Sequence, residues 1–168
     1  ESVRRVFKTL WDKWLIYKGK RVSLYSTKLE TPISNFEVAM DDTYEEVNDP
    51  AITVMLDLSI NGSEYENTFA LVWTTTPWTI PVNIAAGVHK ELEYSKISYN
   101  NQFYIVAKNR VEAVFTNKEY EVVNTFLWEQ LVGLSYKPPY DYLYGKTNND
   151  KDHKIYHADF VSDTDGTG

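Results

Sequence analysis

Residues 51–73 read AITVMLDL, SINGSEYEN and TFALVW in succession, and this stretch decides the fold. Ile52, Val54, Leu56 and Leu58 alternate with Thr53, Met55 and Asp57, which puts one set on each face of a strand. Asn61-Gly62 is the strongest short hairpin signal in the chain, and Thr68 to Trp73 reads as the return strand. Downstream, Leu92–Tyr99, Phe103–Ala107, Tyr120–Val123 and Ile155–Val161 read as further strands, with a turn at Asn100-Asn101. Short helices fit Arg110–Phe115 and Thr125–Leu131. Pro138-Pro139 blocks both helix and central strand, and Asn148 to Asp152 is a polar loop. The pattern predicts an α+β, mainly β fold: a barrel-like antiparallel core over residues 40–168 with small helical insertions.

Upstream, Val3, Val6, Phe7, Leu10, Trp11, Trp14 and Leu15 recur at helical spacing. They predict an N-terminal amphipathic helix over residues 2–18, with Gly19 placed to cap it. Arg21–Tyr25 alternates like a strand, and residues 1–39 form an expected first unit of helix and approach strands. The chain does not start with Met and stops on Gly166-Thr-Gly168, so it is expected to be a piece of a larger protein.

Composition narrows the function classes. The chain has 168 residues, 43% apolar and 24% charged, the size of one domain. No stretch approaches the roughly 20 apolar residues of a spanning helix, and no signal peptide is visible. No membrane partner is expected. Cys is absent, which excludes disulfides and a thiolate zinc site. Tyr, Phe and Trp make up 15%, rings suited to strands and wet interfaces. The net charge of −7 argues against a chain wrapped in nucleic acid. Charge is uneven, however. Residues 1–28 hold eight basic and two acidic side chains, and the other 140 hold 9 basic and 22 acidic ones. Such a split reads as two solvated faces, or as a basic end that meets RNA or the rest of a larger protein.

The chemistry-bearing stretch is LVWTTTPWTIPVN, residues 71–83. Three threonines and Pro77 break the strand just after it forms, and the proline pushes Thr76 toward an extended backbone. Pro77 and Pro81 stiffen a segment that carries the hydroxyls of Thr74, Thr75, Thr76 and Thr79 and the amide of Asn83. Trp73 and Trp78 offer flat apolar walls, so the segment reads as the lining of a small pocket for a ligand with a polar and an apolar end. A buried strand followed by a Pro-rich turn is the plainer alternative. Gly-rich phosphate loops, nucleophile elbows and His-Glu-x-x-His motifs are missing. His89, His153 and His157 read as surface or satisfied histidines, and Asp163 to Asp165 as a turn.

This string resembles the editing insert (connective polypeptide) of isoleucyl-tRNA synthetases, a class I family, and the resemblance runs along nearly the whole chain. Tyr25 to Val38, with Thr31-Pro32-Ile33-Ser34, is similar to the approach to that insert, and Asp49-Pro50 to the lead into its first strand. Trp73 to Asn83 resembles its threonine-rich segment. Gly133, Tyr136, Pro138, Tyr140 and Tyr142 match a later element. Ala158–Val161 with Gly166-Thr-Gly168 is similar to the lead into its second catalytic segment. Valyl relatives carry Arg-Pro-Glu where this chain has Thr76-Pro77-Trp78, which favours the isoleucyl branch.

The resemblance implies an activity. One methylene in an apolar pocket is worth only about 1–3 kcal/mol, isoleucine against valine on this family's own enzymes being the established example. A second pocket that admits valine and hydrolyses the wrong ester supplies the missing accuracy. By resemblance, Thr74, Thr75, Thr76 and Asn83 are the catalytic residues, and Trp73, Trp78 and Thr79 bind the substrate. The hydroxyls orient the ester and a water, since no base stands beside them in sequence. Implied partners are the acceptor end of tRNA(Ile), misactivated valine and the catalytic core of the parent synthetase; the implied compartment is cytoplasmic. The parent ligates isoleucine to tRNA(Ile) with ATP and Mg, whereas this segment needs no cofactor and no metal. In particular, Ser26, Thr27 and Lys28 stand where some relatives place zinc-binding Cys. The family's nucleotide-binding signatures are absent, as are the His and Asp that follow Gly-Thr-Gly in relatives. The chain alone is therefore expected to be weak or inactive in hydrolysis. Alternatives are a non-catalytic tRNA-docking or ligand-binding β-barrel module, or the editing domain of a valyl or leucyl sibling.

Overall fold

The computed structural model describes residues 1–140 and 149–168. Tyr142 and Asn148, singled out in the sequence, lie outside the described residues. The chain divides into two compact units, Glu1–Val47 and Asn48–Gly168.

In the first unit, helix α1 covers Ser2–Asp12 and buries none of its residues. It stops well before Gly19. Trp14 takes the left-handed conformation (φ 58°). Its amide donates to the Trp11 carbonyl, and the Leu15 amide donates to the Leu10 carbonyl. This pair of bonds is a Schellman ending, and it brings Leu15 back toward Leu10 as the hydrophobic contact of that motif requires. The stop is thus set by local hydrogen bonding around a Trp, where the sequence pattern points to Gly. Strands β1 (Leu24–Ser26) and β2 (Thr31–Ile33) pair antiparallel, with Tyr25 opposite Pro32. Helix α2 (Asn35–Val38) begins with a capping box: the Ser34 hydroxyl accepts from the Glu37 amide, and the Glu37 carboxylate accepts from the Ser34 amide.

The second unit is built on strands β3 (Ile52–Asp57), β4 (Thr68–Thr74), β5 (Ala85–Val88), β6 (Glu93–Tyr99) and β7 (Gln102–Ala107), short helix α3 (Val111–Val114), and strands β8 (Glu121–Leu127) and β9 (Lys154–His157). The principal sheet runs β3-β4-β7-β6-β8. Its pairs are antiparallel except β4 with β7, which run parallel. A mainly β architecture with few short helices is as the sequence predicts. The described sheets do not close into a barrel: β3 and β8 stand at the ends of an open sheet.

The alternation in residues 52–57 forms the expected antiparallel pair, from Ile52 opposite Thr74 to Asp57 opposite Phe69. The connection is not a two-residue Asn-Gly turn, however. Two 3-10 turns, Ser59–Asn61 and Ser63–Tyr65, flank Gly62 at φ +110°. The Asn61 side chain donates to the Leu58 and Ser135 carbonyls and accepts from the Ser135 amide. It is thereby drawn into a long-range tie that a tight hairpin turn would forbid. The Asn100-Asn101 turn is as expected, both residues having positive φ (50° and 61°), as a primed hairpin turn requires.

Two further corrections have physical causes. Residues 121–127 form a strand where a helix was expected to start at Thr125, because Val122, Val123, Thr125 and Phe126 fit a pleated surface beside β6. Only a 3-10 turn, Trp128–Gln130, follows. The last strand ends at His157, and its partner β5 is a parallel strand that alternation did not reveal.

Side chains on the two faces of the sheet form two cores. Leu56, Ala70, Tyr94, Ile105 and Tyr136 lie in one, and Leu71, Ile97, Tyr104, Val106 and Phe115 in the other. Alternate residues of β4 and β7 thus serve opposite faces. The first core receives the 134–137 segment, tied to β3 by the Lys137 amide donating to the Asp57 carbonyl and by a 2.7 Å ion pair between their side chains. Burial alone raises the Asp57 carboxyl, but hydrogen bonds from Lys137 and Ser59 and the Lys137 charge bring it below its usual value. A carboxyl depressed on folding adds stability that is present above its unfolded value, about 3.9, and lost as pH falls through the folded one. In urea titrations, Asp57→Asn is expected to lose less stability than the parent between neutral pH and pH of about 3. Equal losses would show that the pair contributes nothing.

Candidate active site at the end of strand β4

Strand β4 delivers the threonines. It ends at Thr74, and after Thr75 and Thr76 the chain enters a 3-10 segment, Pro77–Val82, with Pro77 in its first turn and Pro81 inside. The Thr79 amide donates to the Thr76 carbonyl (3.0 Å) and the Asn83 amide to the Ile80 carbonyl (3.0 Å). Three hydroxyls form a chain: Thr74 Oγ1 lies 3.2 Å from Thr76 Oγ1, which lies 3.3 Å from Thr79 Oγ1. The chain is oriented by backbone: the Thr76 amide donates to Thr74 Oγ1 (3.0 Å), and Thr79 Oγ1 donates to the Thr76 carbonyl (2.8 Å).

A cleft of about 380 Å³ opens beside this chain. Thr74, Thr79 and Asn83 supply its polar lining, and Val54, Leu56, Val72, Ile80, Val82 and Pro139 its apolar lining, together with Trp73. Asn83 Nδ2 donates to the Ala85 carbonyl (2.9 Å), and Asn83 Oδ1 accepts from the Tyr136 hydroxyl (2.5 Å). Of the residues singled out in the sequence, Thr74, Thr79, Asn83 and Trp73 line the cleft, and Thr76 is joined to it only through its hydroxyl contacts with Thr74 and Thr79. Thr75 is exposed and does not line the cleft; Trp78 is 66% exposed and does not line it either.

Trp73 is held from the far end of the chain. Its amide donates to Thr167 Oγ1 (3.1 Å), and its ring lies against Gly166. The segment behind is fastened to the β7–α3 connection. Arg110 donates from Nε to the Gly166 carbonyl (2.9 Å) and from Nη1 to the Thr164 carbonyl (3.0 Å). The Ala107 amide donates to the Thr167 carbonyl, and Asn109 donates to Asp163. A second cleft, of about 420 Å³, lies between Trp73 and this segment. Sequence reasoning missed Arg110, Gly166, Thr167 and Tyr136 as site-building residues. The last three sat within quoted motifs, but Arg110 carried no signal.

The histidines stand apart from the cleft. His157 Nε2 is 3.2 Å from Asp159 Oδ1, which also meets Lys90 at 3.3 Å. Hydrogen bonding to Lys90 holds the exposed Asp159 carboxyl below its ordinary value. His153 packs edge-on against Tyr136, ring centres 5.8 Å apart. Among the described residues, no group of three or more His, Asp or Glu is placed to hold a metal, and no helix is long and apolar enough to cross a membrane.

The fold is shared with a solved structure. The crystal structure of GlLeuRS-CP1 superposes with a TM-score of 0.53 at 15% identity, covering 71% of this chain and 53% of that one. The family model for class I tRNA synthetases (I, L, M and V) matches residues 1–136, and the chain belongs to that family. Among its relatives, the isoleucine–tRNA ligases of Nocardia farcinica and Bacillus thuringiensis are 41% and 40% identical over this whole chain. That of Chlamydia trachomatis is 39% identical. The chain spans only 15–16% of the length of these relatives.

Proposed function

We propose that this chain is the editing domain of an isoleucyl-tRNA synthetase and hydrolyses valyl-tRNA(Ile), and valyl-adenylate with it. The observation that carries the reading is the hydroxyl chain in which Thr76 links Thr74 to Thr79, because Thr74 and Thr79 line, with Asn83, a cleft that is otherwise apolar. An aminoacyl ester has this mixed character, with a small aliphatic side chain at one end and an ester with its ribose at the other. In hydrolysis, water adds to the ester carbonyl, negative charge grows on the carbonyl oxygen, and the ribose hydroxyl leaves. The Asn83 amide is a fixed donor where that charge develops, and the hydroxyl oxygens, whose hydrogens go to one another and to the Thr76 carbonyl, accept from the attacking water. The described lining has no carboxylate or imidazole, so these residues orient ester and water and take no proton from them. In this reading Trp73 and Thr79 bound the valine side chain, and the acceptor end of tRNA(Ile) carries it in. The longer protein ligates isoleucine with ATP and Mg in a catalytic core.

The test uses the full-length protein with valyl-tRNA(Ile) and isoleucyl-tRNA(Ile). Deacylation of the valyl ester at least tenfold faster than the isoleucyl ester is expected. Equal rates on both esters would overturn the assignment.

A further inference from the structure

We infer that Tyr136 is a positioning residue for this site: it holds Asn83 Oδ1 turned toward itself, so that the free Nδ2 hydrogen is offered to a ligand, which sets the position to recognise an acceptor oxygen. The inference rests on the functional reading above and adds the chemistry of one contact.

The orientation of Asn83 follows from its partners. The Ala85 carbonyl can only accept, so the atom 2.9 Å from it is Nδ2. The other amide atom, Oδ1, faces the Tyr136 hydroxyl, which must then donate. One lone pair of Oδ1 and one hydrogen of Nδ2 are thereby used, and the second Nδ2 hydrogen stays free on a residue that lines the cleft. An ester carbonyl or a ribose hydroxyl can accept it, whereas an ammonium cannot.

Tyr136 is well placed to hold this arrangement. It is fully buried in the first core. Its amide donates to the His153 carbonyl, and the residues on either side are tied to Asn61 and Asp57. Burial pushes the hydroxyl far above its ordinary value, so it stays a protonated donor throughout the physiological range. Removing only the hydroxyl leaves the ring in place and leaves the Asn83 amide with the Ala85 carbonyl as its single anchor, so it is held more loosely.

The experiment compares Tyr136→Phe, Asn83→Ala and the double variant in the full-length protein, deacylating valyl-tRNA(Ile). Tyr136→Phe is expected to lower kcat about three- to tenfold, the net worth of one neutral hydrogen bond, with KM within about twofold. The double variant is expected to be no slower than Asn83→Ala alone, because Tyr136 acts through Asn83. Additive losses, or wild-type rates in Tyr136→Phe, overturn the inference. A second readout needs no activity. In the 15N-labelled chain, the Asn83 side-chain amide is expected to exchange with solvent more slowly than that of exposed Asn117, and faster once Tyr136 is Phe. Exchange of Asn83 as fast as Asn117 in the wild-type chain overturns the inference without any variant. A full-length protein that leaves valyl-tRNA intact defeats the functional reading, and the exchange data then decide the positioning by themselves.

Discussion

Gly166→Ala is expected to destabilise the chain by about 2–5 kcal/mol, measured as the change in unfolding free energy in urea at constant m. Two independent costs add. Gly166 sits at φ +65°, and an L-residue there costs about 1–2 kcal/mol. The new Cβ would stand 2.7 Å from Trp73 Cε3 and 2.8 Å from Cδ2, contacts at which something must move. Overpacking of this kind costs about 1–3 kcal/mol. Relief is restricted on both sides. The Trp73 backbone is paired to Thr53 in β3 and bonded to Thr167. The 163–167 segment is held by Asn109, Ala107 and both donors of Arg110. If the ring swings outward instead, the lining of the cleft moves with it, and valyl-tRNA(Ile) deacylation by the full-length protein is expected to fall as well. A change under about 0.5 kcal/mol, the usual scatter for exposed surface sites, would show that the segment does not seat against Trp73 in solution.

How much of this was legible beforehand depends on sequence distance. Strands β3 and β4 were readable because alternation is local, and the Asn100-Asn101 turn because both residues tolerate positive φ. Strand β5 was not. Ala85-Ala86-Gly87-Val88 has no alternation, and its strand conformation is set by the parallel partner at Lys154–His157, far along the chain. Gly87 serves that approach: a Cβ there would lie 3.0 Å from the Ala158 side chain. The end of α1 was misplaced for a different reason. A Trp in the left-handed region is disfavoured intrinsically, and only the Leu15-to-Leu10 closure makes Trp14 the stop. The site shows the same division. The threonine segment is contiguous and announced itself, whereas the contact that orients Asn83 comes from Tyr136, and the one that holds Trp73 comes from Thr167. No pattern within a short window reports either.

The Thr74→Val, Thr76→Val double variant is expected to lower valyl-tRNA(Ile) deacylation by the full-length protein about a hundredfold or more, the loss typical of removing a preorganised hydrogen-bonding group from the transition state. Valine keeps the β-branched shape, so strand β4 and its pairing with β3 are retained, and the change is confined to hydroxyls. Thr74 Oγ1 is the acceptor for the Thr76 amide, and Thr76 Oγ1 links Thr74 to Thr79. Removing both hydroxyls strands Thr79, which keeps only its bond to the Thr76 carbonyl. The loss is expected in kcat more than in KM, because the apolar lining of the cleft, from Val54 to Val82, is untouched and still accepts an aliphatic side chain. Isoleucine activation, measured in parallel, serves as the folding control. The single variants separate two ways the hydroxyls can act. If they work as one hydrogen-bonded unit, each single variant is expected to lose nearly as much as the pair; if each contacts the ester separately, the logarithms of the single losses add. Deacylation by the double variant within threefold of the parent would remove the hydroxyl chain from the chemistry and leave the cleft as a binding surface only.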